Sequence, residues 1–310
     1  MSDVLVTGAD GFIGRRLVSR LRSEGCAVAT ISLAPEPIVH ESRAALDLAE
    51  PAHLAALAAS GARYDTVIHL AARVEIRLAP GVSPNEPPVP AGAVFAPLYR
   101  DNLLATVHLV DFCLRTSVRH LVFASSQAVY GHPVERPLTE HSACRPLEHY
   151  AASKLCAEQM LMVASAQGLA VTVLRLSGAF AEDRLSGVVT SFADQAVSLG
   201  RITVKADYPL PLDVIHVDDA VDAFVRAVGS RSPGFRCLNV STGEPCSLTL
   251  LAERIAAHVE GCAVSHDGPT QPIVQCDNTA ARRELGWNPV AADRRYASMV
   301  AAARARKARA

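Results

Sequence analysis

The chain is predicted to be an α/β protein, a doubly wound parallel sheet with a smaller C-terminal lobe. Three observations lead there. Apolar runs of strand length alternate with stretches of helical periodicity through the first 176 residues, which is the pattern of βαβ crossovers. A glycine triplet, Gly8, Gly11 and Gly14, falls between the first such strand and the first helix. Finally, 310 residues, half of them apolar, are long for one compact core, so a main domain with a smaller lobe is the natural division.

The first run, Val4 to Thr7, reads as a short buried strand. The helix after it carries Ile13, Leu17 and Leu21 at four-residue steps, and Gly25 fits its C-terminal cap. "CAVATIS" (26–32) is the second strand, "AHLAALAAS" (52–60) a helix and "RYDTVIHLAA" (63–72) a strand. "LLATVHLVDFCLRT" (103–116) is helical and "VRHLVFASS" (118–126) a strand; a long helix begins near His149, and "LAVTVLRLS" (169–177) closes the series. A glycine-rich turn after strand one lets the backbone approach a pyrophosphate, whose charge the unpaired N–H groups of the helix N-terminus stabilise. Residues 1–176 therefore read as a Rossmann-type dinucleotide-binding domain. Residues 213–245 are expected to return to it, and 177–310 to form an interleaved substrate-binding lobe.

Composition removes several function classes. One residue in five is charged, the formal net charge is −1, and there is no long basic block. Nucleic acid and anionic membrane are thus not expected as partners. No apolar run reaches transmembrane length and no signal-peptide pattern precedes Val4. The eight cysteines are scattered without a Cys-x-x-Cys pair, which predicts reduced thiols, a cytoplasmic location and no metal site.

Four signals agree in order and spacing: "TGADGFIG" (7–14), "HLAA" (69–72), "SSQAVYG" (125–131) and "YAASK" (150–154). Together with "DVIHVDDAVDAF" (213–224), "LNVSTGEPCSL" (238–248) and "NTAARRELGWNP" (278–289), they resemble the extended short-chain dehydrogenase/reductases, the NAD-dependent epimerase/dehydratase family. The resemblance implies NAD or NADP as cofactor, held by Gly8, Gly11, Phe12, Ile13, Gly14, Ser32, Asp47, Leu48, Leu70, Ala71 and Ala72 together with Tyr150 and Lys154. It implies Tyr150 as proton donor or acceptor, Lys154 as its electrostatic partner and binder of the nicotinamide ribose, and Ser126 as hydrogen-bond donor to the reacting oxygen, with Ser125 the weaker choice. A free phenol has a pKa of ~10. A nearby ammonium and the positive nicotinamide ring favour the phenolate, and positions i and i+4 share a helix face. Asn102 matches a family asparagine, although a plain N-cap explains it equally well. His69 and His216 match signposts that are mainly structural. The family's habit of pairing through the helices read here at 103–116 and 149–167 implies a homodimer.

The departures matter as much. The usual acidic residue ending the second strand is Ser32; Glu36 follows between prolines, and Arg15, Arg16, His40 and Arg43 are candidates for a 2′-phosphate. Where relatives acting on nucleotide sugars carry an asparagine and two arginines, this chain has Gly178, Leu212 and Asp267. Arg73, Arg145, Arg201 and Lys205 are possible substitutes for those cations. Ser126 is followed by Gln127 and Ala128 rather than Asp-Glu, which disfavours dehydration. The proline-rich segment 74–99 reads as a lid or a solvated insertion.

The leading reading is an NAD(P)-dependent oxidoreductase or epimerase acting on a secondary alcohol or ketone of a small, non-nucleotide, sugar-like substrate. The alternatives are a nucleotide-sugar 4-epimerase with rearranged diphosphate contacts and, outside enzymes, a dinucleotide-binding sensor.

Overall fold

The computed structural model describes residues 3–33, 43–75, 95–132, 136–205, 212–268 and 272–309. The first half runs β1 (Asp3–Thr7), α1 (Gly14–Ser23), β2 (Ala27–Ser32), β3 (Arg43–Ala45), α2 (Pro51–Ala59), β4 (Thr66–His69), α3 (Phe95–Tyr99), a π-helical turn (Arg100–Leu104) and α4 (Ala105–Arg115). It continues through β5 (His120–Ser126), a 3-10 turn (Gln127–Tyr130), α5 (His149–Ser165) and β6 (Ala170–Leu176). Then come β7 (Gly178–Phe180), α6 (Val188–Leu199), β8 (Arg201–Lys205), β9 (Val214–His216), α7 (Val217–Gly229) and β10 (Phe235–Val240). The chain ends with α8 (Leu248–Ala256), β11 (Ala263–Asp267), α9 (Thr279–Leu285) and α10 (Ala292–Lys307).

Seven strands form one parallel sheet in the order β10-β6-β5-β4-β1-β2-β3. The chain winds outward from β1 in one direction through β2 and β3, and in the other through β4, β5, β6 and β10. The order therefore reverses beside β1, and a crevice opens at the carboxyl ends of the strands on either side of it. Successive residues face opposite sides of a strand. Val122 and Leu174 accordingly enter a core with Leu17 and Leu21 of α1 and Phe224 of α7. Leu121, Phe123 and Val173 enter the other, with Leu109 and Phe112 of α4 and Leu161 of α5. Burial on both faces explains why these strands read as continuous apolar runs.

A separate core in the C-terminal region gathers Phe192, Ile202, Leu251, Ile255, Tyr296 and Met299 beside two small parallel pairs, β7 with β9 and β8 with β11. The chain passes between the two regions near residues 177, 213 and 241, and these crossings lie side by side; it returns once more to the first core with α9, through Ala281, Leu285 and Trp287, before α10 rejoins the C-terminal core. Ser177 N donates to Val240 O at 3.1 Å, Ser177 Oγ to Asp213 Oδ2 at 2.7 Å and Gly178 N to Asp213 O at 2.9 Å.

Gly25 follows α1 at φ +83°, as its place at the helix cap predicts. Two expectations change. The strand expected over 63–72 is β4 alone; after His69 the chain leaves the sheet, so that Leu70 to Ala72 line the crevice. Asn102 is not an N-cap, because the helical run begins earlier, at α3. It lies within the π-helical turn, where Oδ1 accepts Arg73 N at 2.7 Å and Nδ2 donates to Arg73 O at 2.9 Å and Ser153 Oγ at 3.0 Å. One buried amide thus ties the segment after β4 to α5. His69 is structural: its ring nitrogens meet Thr7 Oγ1 at 2.7 Å and Thr106 Oγ1 at 3.0 Å, and burial lowers it to about 3, leaving it neutral. His216 meets Glu182 Oε2 at 3.0 Å and accepts Asp218 N at the start of α7. Most of the 74–99 segment, with Glu36 and His40 and the side chain of Arg43, lies outside the described residues.

Candidate active site

β5 delivers Ser126 to the crevice at its carboxyl end. The Ser126 Oγ accepts Ala128 N at 3.1 Å, capping the 3-10 turn, and among the described residues nothing accepts its own proton. Ser125, one residue earlier, also lines the cavity, but its proton goes to Glu158. Of the two serines, Ser126 is therefore the one with a proton to give.

α5 begins beside it. Glu148 caps this helix, its carboxylate accepting Tyr150 N at 2.6 Å and Ala151 N at 2.7 Å, and the cap places Tyr150 in the first turn, half-buried against the cavity. Lys154 lies one turn on. Its Nζ sits 5.9 Å from the Tyr150 ring centre, 4.6 Å from that of Phe123, and donates to Ala124 O at 2.9 Å. Burial draws the Lys154 ammonium down to about 7, with Glu158 opposing the pull. The Tyr150 phenol is pushed up by burial and further by the Glu148 carboxylate. The lowering expected at Tyr150 is thus not supplied by the chain's own groups, which hold the phenol protonated.

Three cavities run in a row through the crevice. The central one, about 430 Å³, is lined by Gly11, Phe12, Ser126, Tyr150 and Lys154, with Gly178, Leu212 and Asp213 on its far wall. Sharing Gly8 with it is a cavity of about 300 Å³ lined by Ser32, Asp47, Leu48, Ala71 and Ala72. On the opposite side, Gly178, Arg184 and Leu212 are shared with a cavity of about 740 Å³ in the C-terminal region, which Lys205 also lines. The structure therefore brings together the sequence-predicted residues Gly8, Gly11, Phe12, Ile13, Gly14, Leu70, Ala72, Ser126, Tyr150 and Lys154 around the central cavity.

The residues present fit a dinucleotide. Gly8 has φ +70°, and a Cβ there would stand 2.6 Å from Ala71 N; a Cβ on Gly14 would stand 2.2 Å from Gly8 O. These two glycines let the loop close on its neighbours. Gly11 is different, exposed and facing the central cavity, where a side chain would occupy space a pyrophosphate needs. At the far end, Ser32 Oγ is buried without a hydrogen-bond partner among the described residues. Burial works to raise the Asp47 carboxyl, but Arg100, hydrogen-bonded at 2.7 Å, outweighs it together with Ala49 N–H and holds it low.

Several sequence candidates are placed elsewhere. Arg15 and Arg16, weighed for a 2′-phosphate, both turn to Asp183. Arg73 is paired with Asp101 at 2.7 Å; Arg145 and Arg201 are exposed, and neither lines a cavity described here. Asp267, standing where relatives carry an arginine, is exposed at the end of β11, in register with Lys205. Arg184 was missed. It lies over the Phe12 ring at 4.8 Å, donates to Ala179 O at 2.8 Å and borders both larger cavities. No motif marks it, because its place comes from the turn after β7. Glu148 and Asp213 were not singled out either, although Glu148 stands just before the "YAASK" motif and Asp213 opens "DVIHVDDAVDAF". Asp213 is 1% exposed, and burial lifts its carboxyl to about 7 against the pull of Ser177 Oγ–H and Val214 N–H.

The model of the family described as "NAD dependent epimerase/dehydratase family" matches residues 4–240. The UDP-glucose 4-epimerase of Mycolicibacterium smegmatis is 31% identical to the chain over 313 residues, covering 92% of the chain and 93% of that protein. The dTDP-6-deoxy-L-talose 4-dehydrogenase (NAD(P)(+)) of Kitasatospora kifunensis is 28% identical over 92% of the chain and 90% of its own length. Among solved structures, MoeE5 in complex with UDP-glucuronic acid and NAD superposes with a TM-score of 0.76 at 28% identity, covering 98% of the chain and 99% of MoeE5.

Proposed function

The chain belongs to the NAD dependent epimerase/dehydratase family, and from that premise we propose that it moves a hydride between a bound nicotinamide dinucleotide and a secondary alcohol or ketone of a nucleotide-diphosphate sugar. One observation carries the reaction type: Ser126, Tyr150 and Lys154 line one cavity that is continuous with the glycine loop.

Gly8, Gly11, Phe12, Ile13 and Gly14 would hold the pyrophosphate. Ser32, Asp47 and Leu48 would meet the adenosine end, Leu70, Ala71 and Ala72 would floor the crevice, and Lys154 would take the nicotinamide ribose. When bound, the nicotinamide supplies the hydride donor or acceptor. The Tyr150 Oη exchanges a proton with the substrate oxygen, and Ser126 Oγ–H donates a hydrogen bond to that same oxygen. The environment keeps Tyr150 protonated, the form that gives a proton to a carbonyl. The Lys154 ammonium offsets the charge left on the phenol as that proton departs. With Gln127 and Ala128 in the turn after Ser126, that turn supplies no carboxylate for a β-elimination.

Arg184 and Lys205 support the substrate class. Both line the C-terminal cavity, where they would replace the cations missing at 212 and 267, and the relatives named above act on or bind nucleotide sugars. A second reading, a non-nucleotide sugar-like substrate, is favoured by Gly178 and Leu212, which bring neither amide nor guanidinium to the same wall. Calorimetric titration of the cofactor-loaded protein with UDP-glucose and dTDP-sugars, beside free sugars and small ketones, decides between them. Micromolar binding of a nucleotide sugar with turnover is expected. Turnover of a free sugar or small ketone without nucleotide-sugar binding would reverse the choice.

A further inference from the structure

α5 carries three ionisable groups at four-residue steps, Tyr150, Lys154 and Glu158, which places them along one face. Lys154 and Glu158 are 2% and 1% exposed, and a charge taken out of water is costly unless it is answered. The Lys154 ammonium meets uncharged groups, the Ala124 carbonyl and the Phe123 and Tyr150 rings. Glu158 is gripped from behind. Arg175 of β6 donates Nε to its two oxygens at 3.1 and 3.2 Å and Nη2 to Oε2 at 2.6 Å, while Ser125 of β5 donates to Oε1. Arg175 Nη1 reaches Tyr130 OH at 2.9 Å, and Tyr130 donates to Asn239 Oδ1 at 2.6 Å. The network therefore fixes a carboxylate one helical turn beyond Lys154; of its members Ser125 and Tyr130 line the central cavity, while Glu158, Arg175 and Asn239 stand behind it.

We propose that Glu158 is a positioning residue of this site: fixed by Arg175 and Ser125, its carboxylate is the buried counter-charge that keeps Lys154 an ammonium ion. The inference rests on the proposed function only in counting Lys154 within the site. Burial pulls Lys154 down, and Glu158 is the charge that opposes it. The other ionisable groups around Lys154 are engaged elsewhere or held back from charge: Asp101 of the π-helical turn pairs with Arg73 and Arg100, and burial lifts the carboxyl of Asp213, which lines the same cavity, to about 7. On α5 itself, Glu148 is engaged as the helix cap and Tyr150 is held protonated. Burial keeps His69 of β4, Tyr130 of the 3-10 turn and Cys237 of β10 uncharged, and Arg175 of β6 is a cation.

The chain has only three lysines, Lys154, Lys205 and Lys307, so nitrogen-15 labelling of lysine gives a spectrum simple enough to follow Lys154 Nζ through a pH titration of the cofactor-free full chain. Lys154→Arg assigns the signal. Glu158→Gln keeps an acceptor for Arg175 but removes the charge, and should lower the Lys154 midpoint by about one pH unit or more. That variant leaves a buried guanidinium unpaired, so Glu158→Gln/Arg175→Met, which removes both charges together, serves as the second variant and should fold. A downward shift in the double variant is expected. A folded double variant with the wild-type midpoint would overturn the inference. Failure of the wild-type chain to bind NAD or NADP would instead sink the proposed function, and leaves this midpoint to be read as before.

Discussion

The crevice at the carboxyl edge of the main sheet and the cavity of the C-terminal region share a wall, yet they are built in opposite ways. In the crevice, each candidate side chain stands at the end of a strand or in the first turns of a helix packed on that sheet. Its position follows from a parallel register buried on both faces, such as Ser126 opposite Leu176. The C-terminal cavity is walled instead by two-strand pairs, and its cations stand in the turn after β7 and at the end of β8. On the proposed function, reaction chemistry falls to the half built on the sheet, and recognition to the half built on short strand pairs and turns. Arg184 replacing a cation missing at 212 is what such a division permits.

The sharpest way to break this contrast is Tyr150→Phe. If the crevice carries the chemistry, turnover should fall by about 10²–10⁴-fold while dinucleotide affinity, read by NADH fluorescence, stays near wild type. A variant that turns over at the wild-type rate would move the proton transfer elsewhere. Arg184→Gln probes the other half. It should weaken UDP-glucose binding by roughly ten- to a hundredfold, the equivalent of about 1.5–3 kcal/mol for a charged hydrogen bond, with kcat little changed. Equal loss in kcat would put Arg184 among the groups that act on the reacting centre and blur the division.

Two glycines of one loop sharpen the comparison further. Gly14→Ala forces a methyl against Gly8 O and should lower stability by about 1–3 kcal/mol in urea unfolding. Gly11→Val, whose Cβ would stand 3.1 Å from Gly8 O, should cost less stability than Gly14→Ala, whose Cβ would stand 2.2 Å from it, and should abolish dinucleotide binding. Tight binding by folded Gly11→Val protein would remove the loop from the cofactor site. The smallest effect is expected at Ser32, where Ser32→Asp should shift preference from NADP toward NAD by repelling the 2′-phosphate. Unchanged affinities for both would show that position 32 does not face the ribose.

What the sequence made legible follows the same line. The strands of the main sheet are visible because burial on both faces makes them continuous apolar runs, and the glycine loop because backbone crowding at Gly8 and Gly14 excludes every other residue. Asn102 was half-legible: its identity stood out, but its bonds to Arg73 and Ser153 depend on a π-helical turn with no local signature. Arg184 and the Glu158–Arg175 pair were not legible. Arg184 lies far in sequence from Phe12, the ring it meets, Glu158 and Arg175 meet across the turn from α5 to β6 at no fixed spacing, and a lone arginine after a short strand carries no period to mark it.

The three chain crossings beside Ser177 have an evolutionary consequence. Because the exits near residues 177, 213 and 241 are laced together by short hydrogen bonds, the loops beyond them hang from a single seam. Insertions or deletions between 178 and 212 lengthen or trim the outer region without displacing the end of β5 that holds Ser126 or the start of α5 that holds Tyr150. A lineage can therefore rebuild what it recognises one loop at a time while the hydride chemistry is inherited intact, and a chimaera cut at that seam would inherit it too.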